Sequence, residues 1–289
     1  MSNHKSFTLI ELLVVIAIIG VLAAILITTI SGAVTKSRIV RLQVFSDTIR
    51  AQLSDSLVSY WSFNEGSGTD AKDMWEGNHG TLGGDPEWKS GGDCISGSCL
   101  EFDGSGDYVS LGRPSSLINQ TALSIFLWVK TADDVTSDQY WFYGGYWHSP
   151  YGDYIRVNSG NWGINLRNTT AIGKSGGSAT PNTWYYIGYS WDGSTVHVYT
   201  NGIEIGTGTT FTGTLARTSV TAINLGGYET NFRCSGLIDE VRIYNSAASI
   251  TQVQSQYLAG LDKLLSNGAI SKSEYNQRIK ELSKEIVIE

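Results

Sequence analysis

The sequence predicts an α+β protein with three parts: a long N-terminal α-helix, an antiparallel β-sandwich and a short C-terminal helical hairpin. Three observations support this prediction. An apolar run extends from Leu12 to Ile30, short strand-like segments separated by turn residues fill 57–257, and a helical pattern interrupted at Asn267-Gly268 ends the chain. The 289 residues, of which 41% are hydrophobic, allow one or two domains with a sizeable core.

The first part of the chain has the pattern of one long helix. The run from Leu12 to Ile30 contains no charge, and Glu11 stands at its edge. Apolar residues then continue at helical spacing to Leu53 with charged residues between them, and no proline precedes Pro86. A helix from about Thr8 to Leu57 would be roughly 75 Å long at about 1.5 Å per residue. A carboxylate in hydrocarbon needs a partner, so Glu11 is expected to have a role.

The first thirty residues resemble the class III leader and N-terminal helix of type IV pilins and type II secretion pseudopilins. The matching residues run from Ser6-Phe7-Thr8-Leu9-Ile10-Glu11 to Gly20-Val21-Leu22. The resemblance implies that a membrane-embedded prepilin peptidase cuts between Ser6 and Phe7 and N-methylates Phe7. It also implies that Glu11 pairs with the Phe7 amine of a neighbouring subunit. Two features depart from the family: Ser6 replaces the usual Gly, and Thr28-Thr29 lie where major pilins have a helix-kinking proline.

Two other interpretations of this segment remain open. A secretory signal peptide has an apolar core of about 7–15 residues, and Ser31-Gly32-Ala33 could serve as its cut site. The observed apolar run is longer than that, and Glu11 is unusual there. A plain membrane anchor needs about 20 apolar residues, which fits the length. Basic residues flank the run on both sides, so the positive-inside rule does not orient it.

Composition and charge limit the functions of the rest of the chain. The chain has 33 Gly, 9 Trp and 15 Tyr, which is typical of an all-β domain with many turns. The net charge is −7, and residues 60–250 contain 10 basic and 19 acidic residues. This acidic surplus argues against nucleic-acid binding and leaves carboxylates available for a metal ion.

The chain has three cysteines, Cys94, Cys99 and Cys234. A chain that leaves the cytosol, as the leader implies, can keep a disulfide. Cys94 and Cys99 close a small Gly/Ser loop and are the predicted pair. Cys234 is then a buried free thiol, or it pairs with Cys99 instead, because sequence alone does not give connectivity.

The middle of the chain has a regular series of strand patterns. Asp192-Gly193 and Asn201-Gly202 predict tight hairpin turns, because these dipeptides tolerate positive φ. Many short strands at even spacing predict a sandwich or jelly roll. The strand candidates are Ser59–Phe63, Cys99–Phe102, Tyr108–Leu111, Leu123–Lys130, Tyr140–Tyr143, Tyr154–Val157, Trp162–Asn165, Trp184–Trp191, Thr195–Thr200, Ile203–Gly206, Ala222–Leu225 and Gly236–Tyr244.

This region resembles the laminin-G-like, concanavalin A-like jelly rolls. The resemblance covers nearly all of 57–257, and its members serve mostly as carbohydrate- or protein-binding modules, many with structural calcium. The matching segments, in family order, are Val58 to Gly68, Asp73 to Gly80, Leu100 to Val109, Trp184-Tyr185-Tyr186, Trp191-Asp192-Gly193, Val198 to Gly202 and Gly236 to Asn245.

The resemblance implies a Ca²⁺ site. Asp73, Asn78 and Asp239 lie where the family brings an early loop beside the last strand, and they are the predicted ligands. Carboxylate and amide oxygens suit this hard cation. Asp103 and Asp107 form a second candidate cluster. The alternative for Asp103 and Asp107 is that they only shape turns.

An aromatic cluster at 140–151 is the predicted ligand-binding site. Sugars stack their C–H faces on Trp and Tyr rings, and the candidates are Trp141, Tyr146, Trp147 and His148. The last three fall in a Gly/Pro loop, where exposure is expected. The alternative is that these rings only pack in the core, as aromatic residues in sheets often do.

The sequence predicts that the protein is not an enzyme. Related jelly-roll glycosidases carry two carboxylates in a Glu-x-Asp-x-x-Glu run, which this chain lacks. Asp239 and Glu240 would point to opposite faces of a regular strand. The histidines form no metal motif, and there is no Walker loop, Gly-x-Ser-x-Gly or HExxH sequence.

The C-terminal tail has a helical pattern. Ser249–Tyr257 is predicted to end the jelly roll with a short helix, and Leu261–Tyr275 is predicted to be helix, Asn-Gly stop and helix. Ser271 and Glu274 make a capping box for the last helix. This tail is similar to the short C-terminal helical-hairpin domain abbreviated SHOCT. Such a hairpin is too small to be stable alone and should dock on the head or on another subunit. A plain soluble helical tail is the alternative.

These inferences divide the chain into four regions. Residues 1–6 are a prepilin leader, 7–57 the N-terminal helix with a membrane span at about 12–30, 58–257 the laminin-G-like jelly roll, and 258–289 the helical hairpin.

The resemblances imply a filament subunit that displays a head for adhesion or for binding a glycan or another surface polymer. Its expected partners are other copies of itself, other pilins, prepilin peptidase and, before assembly, the membrane. It would start in the inner membrane and end in an extracellular filament or at the cell surface. The alternatives are a type II secretion pseudopilin, or a membrane-anchored lectin-like module that does not assemble.

Overall fold

The computed structural model describes residues 13–14, 54–145, 152–217, 222–227 and 233–285. Leu13 and Val14 are helical; the rest of the predicted N-terminal helix, including Ser6, Phe7 and Glu11, lies outside the described residues. Within the described ranges, no helix has both the length and the apolar character needed to cross a membrane. The chain divides into two compact units at Thr48/Ile49, and the fold below is that of the second.

The second unit is an antiparallel β-sandwich followed by two helices, as predicted. The helices are α1, Ile250–Ser266, and α2, Lys272–Glu285. The strands are β1 Leu57–Trp61, β2 Asp70–Ala71, β3 Gly80–Gly83, β4 Glu87–Ser90, β5 Ser98–Asp103, β6 Tyr108–Ser110, β7 Leu123–Thr131, β8 Gln139–Tyr143, β9 Gly152–Asn158, β10 Asn161–Arg167, β11 Ala171–Ser178, β12 Trp184–Trp191, β13 Thr195–Thr200, β14 Ile203–Glu204, β15 Thr209–Thr210, β16 Asn224–Leu225 and β17 Ser235–Tyr244.

Two sheets form the sandwich. Among the described residues, the first sheet has nine strands in the order β14-β13-β12-β7-β17-β5-β4, with β1 also paired to β17 and β15 to β13. The second has eight, in the order β11-β10-β9-β8-β16-β6-β3-β2. The predicted hairpins are confirmed: Asp192-Gly193 joins β12 to β13, and Asn201-Gly202 joins β13 to β14.

Five of the described strands were not predicted from the sequence, and four of them have only two to four residues. Each of the predicted strands overlaps an observed strand, but β2, β3, β4, β11 and β15 had no prediction. The β11 sequence, Ala171 to Ser178, has no apolar alternation, and β11 pairs only with β10 at the end of the second sheet. Its strand conformation depends on a neighbour that is already in place, so local composition does not predict it.

Strand β7 shows why the first sheet has two buried faces. Ile125, Leu127 and Val129 belong to the core between the two sheets. The alternate residues Phe126 and Trp128 face the other way and are buried as well. Tyr257 of α1 stacks on Trp128 with ring centroids 5.6 Å apart. The outer face of the first sheet is therefore covered by α1.

A buried ion pair crosses the sandwich core. Arg217 is fully buried and donates from Nε and Nη2 to the two carboxylate oxygens of Asp153 on β9, at 2.7 and 2.6 Å. It also donates from Nη1 to the carbonyl of Leu117, at 2.8 Å. The Tyr189 hydroxyl, on β12 of the other sheet, donates to the same carboxylate. A charge removed from water needs such partners, so these residues fix how the two sheets meet.

The two helices dock on the first sheet. Arg278 of α2 donates to the carbonyl oxygen of Trp184 at 2.8 Å, and Leu282 lies against the hairpin at Gly202. The sequence predicted that a hairpin too small to be stable alone would dock on the head or on another subunit, and the hairpin contacts the head. The predicted boundary between 257 and 258 falls inside α1, because the Ser249 capping box starts one continuous helix that ends at Ser266. In α2, Ser271 Oγ accepts from Glu274 N–H, while the Glu274 carboxylate pairs with Arg278.

Candidate functional site

A cleft of about 350 Å³ lies between α1 and the outer face of the first sheet. We call it the α1 cleft. Its floor comes from strands β1, β7 and β17, its wall from α1, and part of its rim from the loop after Asp73. The lining residues are Leu57, Tyr60, Trp75, Trp128, Glu240, Arg242, Tyr244, Gln256, Ala259, Gly260 and Lys263.

A β-bulge shapes the floor of the cleft. On one side, β17 pairs with β7 along its length, and the register shifts between Asp239 and Arg242. On the other side, β17 pairs with β5 as far as Ile238 and then with β1 from Val241. Glu240, at this change of neighbour, has φ +52°, a left-handed conformation that is costly for a residue with a Cβ. The bulge re-aims the Glu240 side chain toward α1.

Glu240 is the charged centre of the α1 cleft. Its Oε1 accepts from Lys263 Nζ at 2.8 Å, and its Oε2 accepts from the Tyr60 hydroxyl at 2.9 Å and from Arg242 Nη2. The Arg242 guanidinium lies over the Tyr60 ring, 4.1 Å from its centroid. Burial alone would raise the pKa of the Glu240 carboxyl, but the charges of Arg242 and Lys263 outweigh burial and lower it to about 2. Glu240 is therefore ionised at neutral pH.

Asp73 organises the rim loop. Its carboxylate accepts backbone N–H groups from Tyr60, Trp75 and Asn78 at 2.8, 3.0 and 3.0 Å. These bonds fold residues 73–79 into a tight loop on the edge of β1. The loop holds Trp75 with 50% of its surface exposed, at the mouth of the cleft. Trp75 therefore presents an apolar ring with one polar N–H to solvent beside the cleft.

An acidic triad is the candidate metal centre. One carboxylate oxygen from each of Asp85, Asp103 and Asp107 lies within 4.8 Å of the others. Two oxygens bound to one Ca²⁺ at about 2.3–2.6 Å are at most about 5 Å apart, so this spacing fits a shared ion. Asp107 is buried, and its carboxylate accepts from the N–H groups of Asp85 and Asp103 at 2.9 and 3.0 Å. Gly84 has φ +79°, and a Cβ there would lie 2.5 Å from Asp107 Oδ1.

The predicted ligands Asp73, Asn78 and Asp239 already have protein partners. Asp73 and Asn78 share the rim loop, where Asn78 Nδ2 donates to Ser59 Oγ at 2.7 Å. Asp239 is fully buried and accepts the N–H groups of Ile95 and Glu240 at 2.9 and 2.8 Å. Burial, together with the charge of Glu240, raises the pKa of the Asp239 carboxyl. The second predicted cluster, Asp103 and Asp107, supplies two of the three residues of the acidic triad. The third, Asp85, had no prediction, although it directly follows Gly83-Gly84.

The expectation that Asp239 and Glu240 point to opposite faces assumed a regular strand. The bulge interrupts that alternation between Asp239 and Arg242, and both Asp239 and Glu240 are buried. They are held by different partners: Asp239 by the 94–99 loop, and Glu240 by α1 and β1.

Of the four residues predicted to bind a ligand, the structure describes only Trp141. Trp141 on β8 has no exposed surface and packs against Phe102, 6.3 Å between ring centroids. This corrects the expectation that its ring meets a ligand, because Trp141 belongs to the core between the two sheets. Tyr146, Trp147 and His148 lie outside the described residues. The rings that line the α1 cleft, Tyr60, Trp75, Trp128 and Tyr244, come from other parts of the chain.

The predicted disulfide is confirmed. Cys94 and Cys99 are bonded, and Cys234 is a buried free thiol. Burial raises the pKa of the Cys234 thiol well above its ordinary value, so the reactive thiolate is scarce. The 94–99 loop is also held by Asp239 and by Asn267, whose Nδ2 donates to the Ile95 carbonyl at 2.9 Å.

Two family profiles match the chain. The concanavalin A-like lectin/glucanases superfamily matches residues 103–254, and the prokaryotic N-terminal methylation motif matches residues 1–27. The first match covers more than half of the sequence. The second includes the predicted residues Ser6, Phe7 and Glu11.

Solved structures share the sandwich fold. Domain 4 of AbnA, a GH43 extracellular arabinanase from Geobacillus stearothermophilus, in complex with arabinotriose, is 24% identical over 69% of this chain and 97% of that chain, with a TM-score of 0.55. The binding domain of Paraclostridial Mosquitocidal Protein 1 is 14% identical over 73% of this chain, with a TM-score of 0.59. The Trypanosoma rangeli sialidase in complex with sialic acid is 14% identical over 71%, with a TM-score of 0.53. This chain spans 53% of the second and 33% of the third, and these identities indicate shared fold alone.

Proposed function

The chain belongs to the concanavalin A-like lectin/glucanases superfamily and begins with a prokaryotic N-terminal methylation motif, and from these two facts we propose that it is a pilin-like filament subunit whose head binds carbohydrate. The observation that carries this proposal is the presence of both matches on one chain. The motif supplies a way to be processed, held in the membrane and assembled. The lectin-like sandwich supplies a head to display.

The proposed assembly step depends on Glu11 and Phe7. After cleavage the Phe7 amine becomes a cation, and Glu11 of a neighbouring subunit would neutralise it in the apolar filament core. Each subunit would then be fixed in register by one charge pair. Other copies of this chain, other pilins and prepilin peptidase are the proposed partners, and the proposed destination is an extracellular filament or the cell surface.

Intact mass and filament recovery test this assignment. Cells would express the wild type, Glu11→Ala and the matched apolar change Leu12→Ile. We expect a mature chain that starts at N-methylated Phe7 in all three, and filaments that are lost only in Glu11→Ala. Cleavage after Ala33, or no cleavage, would overturn the pilin-like assignment. Processing at Phe7 without any filament would favour the non-assembling, membrane-anchored module, and recovery within a secretion complex would favour a pseudopilin.

The carbohydrate-binding part is tested separately. Immobilised plant and bacterial polysaccharides would be probed with the full chain in detergent, and saturable retention by at least one polymer is expected. Retention by none would contradict it. The same polymers, assayed for new reducing ends, test the prediction that the head binds without cleaving.

Calcium is the proposed occupant of the acidic triad. Asp85, Asp103 and Asp107 offer only hard oxygen donors, which suit Ca²⁺ better than a transition metal. The ion would neutralise three neighbouring carboxylates and tie β3, β5 and β6 together at one end of the sandwich. Its role here would be structural.

A further inference from the structure

We propose that the α1 cleft binds a sugar that carries a carboxylate, with Arg242 and Lys263 receiving the carboxylate and Trp75 covering the ring. This inference rests on the proposed carbohydrate-binding function, and it assigns that function a place and a ligand class. The wall of the cleft comes from α1, most of which lies beyond the residues that the superfamily profile matches.

The charges of the cleft favour an anion. Two cations, Arg242 and Lys263, border it, against the single carboxylate of Glu240. One positive charge is left over, although the chain as a whole carries −7. A monoanionic ligand would balance that charge, whereas a cationic ligand would add to it.

The exposures place the cations outside and the carboxylate beneath them. The Lys263 side chain is 42% exposed and that of Arg242 is 20% exposed, whereas the Glu240 side chain is 3% exposed. A molecule that enters the cleft therefore meets the guanidinium and the ammonium group first. Glu240 acts as a fixed anchor that holds both cations in place.

Both cations have donors left for a ligand. Within the described part of the chain, the side chains of Arg242 and Lys263 each donate to Glu240 alone. A guanidinium has five N–H donors and an ammonium has three, so most of them are available. Charge-assisted hydrogen bonds from such a pair are strong, and the planar guanidinium suits a carboxylate.

The aromatic residue at the rim of the α1 cleft and the volume of the cleft favour an acidic sugar over a simple carboxylic acid. Trp75 offers half of its surface to solvent at the mouth of the cleft, and the four-part hydrogen bonding of Asp73 holds its loop. Sugar rings stack on such faces through their C–H groups. A volume of about 350 Å³ is at the small end of ligand sites, which suits a short saccharide.

The backbone gives an independent indication of function at the same residues. Glu240 is buried and has a backbone φ of +52°, in the left-handed region that a residue with a Cβ rarely adopts. Strained backbone persists where the surroundings impose it, and it clusters at binding sites. Here the strain is what brings the Glu240 carboxylate under Arg242 and Lys263.

Calorimetric titration of the full chain in detergent at low salt tests the proposal. The probes are trigalacturonate, its methyl-esterified form and N-acetylneuraminate. We expect saturable binding of at least one acidic sugar, and binding of the ester weaker by about tenfold or more, because a hydrogen bond to a charged group is lost. Preference for trigalacturonate or for N-acetylneuraminate would identify the uronate or the sialate as the source of the carboxylate.

Two exposed substitutions and two controls place the binding in the cleft. Lys263→Gln and Trp75→Ala should each weaken binding by about tenfold, while Lys280→Gln and Met74→Ala should leave it unchanged. Equal affinity for acid and ester, or equal losses in the controls, would overturn the proposal. If the chain binds a neutral polysaccharide and Lys263→Gln does not alter that binding, the carbohydrate-binding function stands and this inference fails.

Discussion

The Glu240 carboxylate on β17 and the Lys263 ammonium on α1 meet at 2.8 Å, joining a strand in the interior of the first sheet to the helix that covers it. The Lys263 side chain is partly exposed, so we expect its ion pair to add only about 0.5 kcal/mol to the unfolding free energy. Glu240 is buried and accepts hydrogen bonds from Tyr60, Arg242 and Lys263. Removal of its carboxylate is therefore expected to lower the unfolding free energy more than removal of the Lys263 ammonium. The stability of the docked α1 and the order of the cleft depend on the same carboxylate.

Glu240→Ala and Glu240→Gly separate the ion pairs from the backbone strain. Both variants leave Arg242 without its carboxylate, and we expect both to lose about 3 kcal/mol of unfolding free energy. The glycine variant should be the more stable of the two by about 1 kcal/mol, because φ +52° costs a residue with a Cβ about that much. Equilibrium urea unfolding measures the difference.

The matched control is Glu281, on the exposed side of α2. There the order should reverse, with alanine more stable than glycine by about 1 kcal/mol, because the site has ordinary helical backbone. The same order at both positions would show that the left-handed conformation does not matter at Glu240.

The unfolding free energy should fall in acid because of Glu240. Its pKa is lowered from 4.5 to about 2 in the folded chain, so its contribution is complete above about pH 4.5 and is lost as the pH falls through 2. The whole contribution is about 3 kcal/mol. The Asp239 pKa is raised, so the stability that Asp239 contributes grows as the pH falls, which is the opposite direction.

The difference in unfolding free energy between the wild type and Glu240→Gln isolates the pH dependence that Glu240 causes. Unfolding free energies of both proteins between pH 2 and 6, obtained in urea, would be subtracted at each pH. We expect this difference to shrink toward acid. A constant difference would contradict the ionised state of Glu240.

Gly260→Ala should destabilise the docked α1, although alanine is the better helix former. Propensity alone favours alanine by about 1 kcal/mol. A Cβ at Gly260 would lie 2.4 Å from Trp128 Cζ2, and that ring is fixed by its stack with Tyr257. We expect a net loss of about 2 kcal/mol, as in other overpacked sites. The control is Ser273→Ala, at an exposed position of α2, which should raise the unfolding free energy by a few tenths of a kcal/mol. Thermal unfolding of the two variants and the wild type measures the difference.

Calcium should raise the melting temperature through the acidic triad. At a concentration one hundred times its dissociation constant, an ion that binds only the folded state adds about 2.7 kcal/mol. Asp85→Asn and Asp103→Asn should reduce or abolish the shift, while Asp70→Asn, an exposed change outside the triad, should keep it. The measurement is differential scanning fluorimetry with calcium and with a chelator. No shift in the wild type would argue against the site.

Alkylation with iodoacetamide should report the cysteine pairing. We expect no adduct on the native chain, because Cys234 is buried and burial raises the pKa of its thiol. In denaturant without reductant, a single adduct should appear on Cys234, and full reduction should give three. A single adduct on Cys94 instead would mean that Cys99 pairs with Cys234. The masses come from intact and peptide spectrometry.

The sequence predicted the parts of the molecule that local rules control. The Asp192-Gly193 and Asn201-Gly202 turns, the strands with apolar alternation and the Cys94–Cys99 pair were all found in the expected places. Turn residues with positive φ and a five-residue cysteine spacing act over a few residues, so the chain reveals them directly. The N-terminal motif is of the same kind, since its pattern is contiguous.

The candidate sites depended on contacts that no local rule gives. Tyr60 and Glu240 are 180 residues apart, and Asp85 reaches Asp107 across 22 residues. The bulge at Glu240 arises because β17 changes neighbours there, which is a property of the assembled sheet. The sequence by itself therefore determined the class of fold and the N-terminal methylation motif. Only the tertiary structure decided which carboxylates meet, because burial and pairing between distant segments set the free energy of those charges.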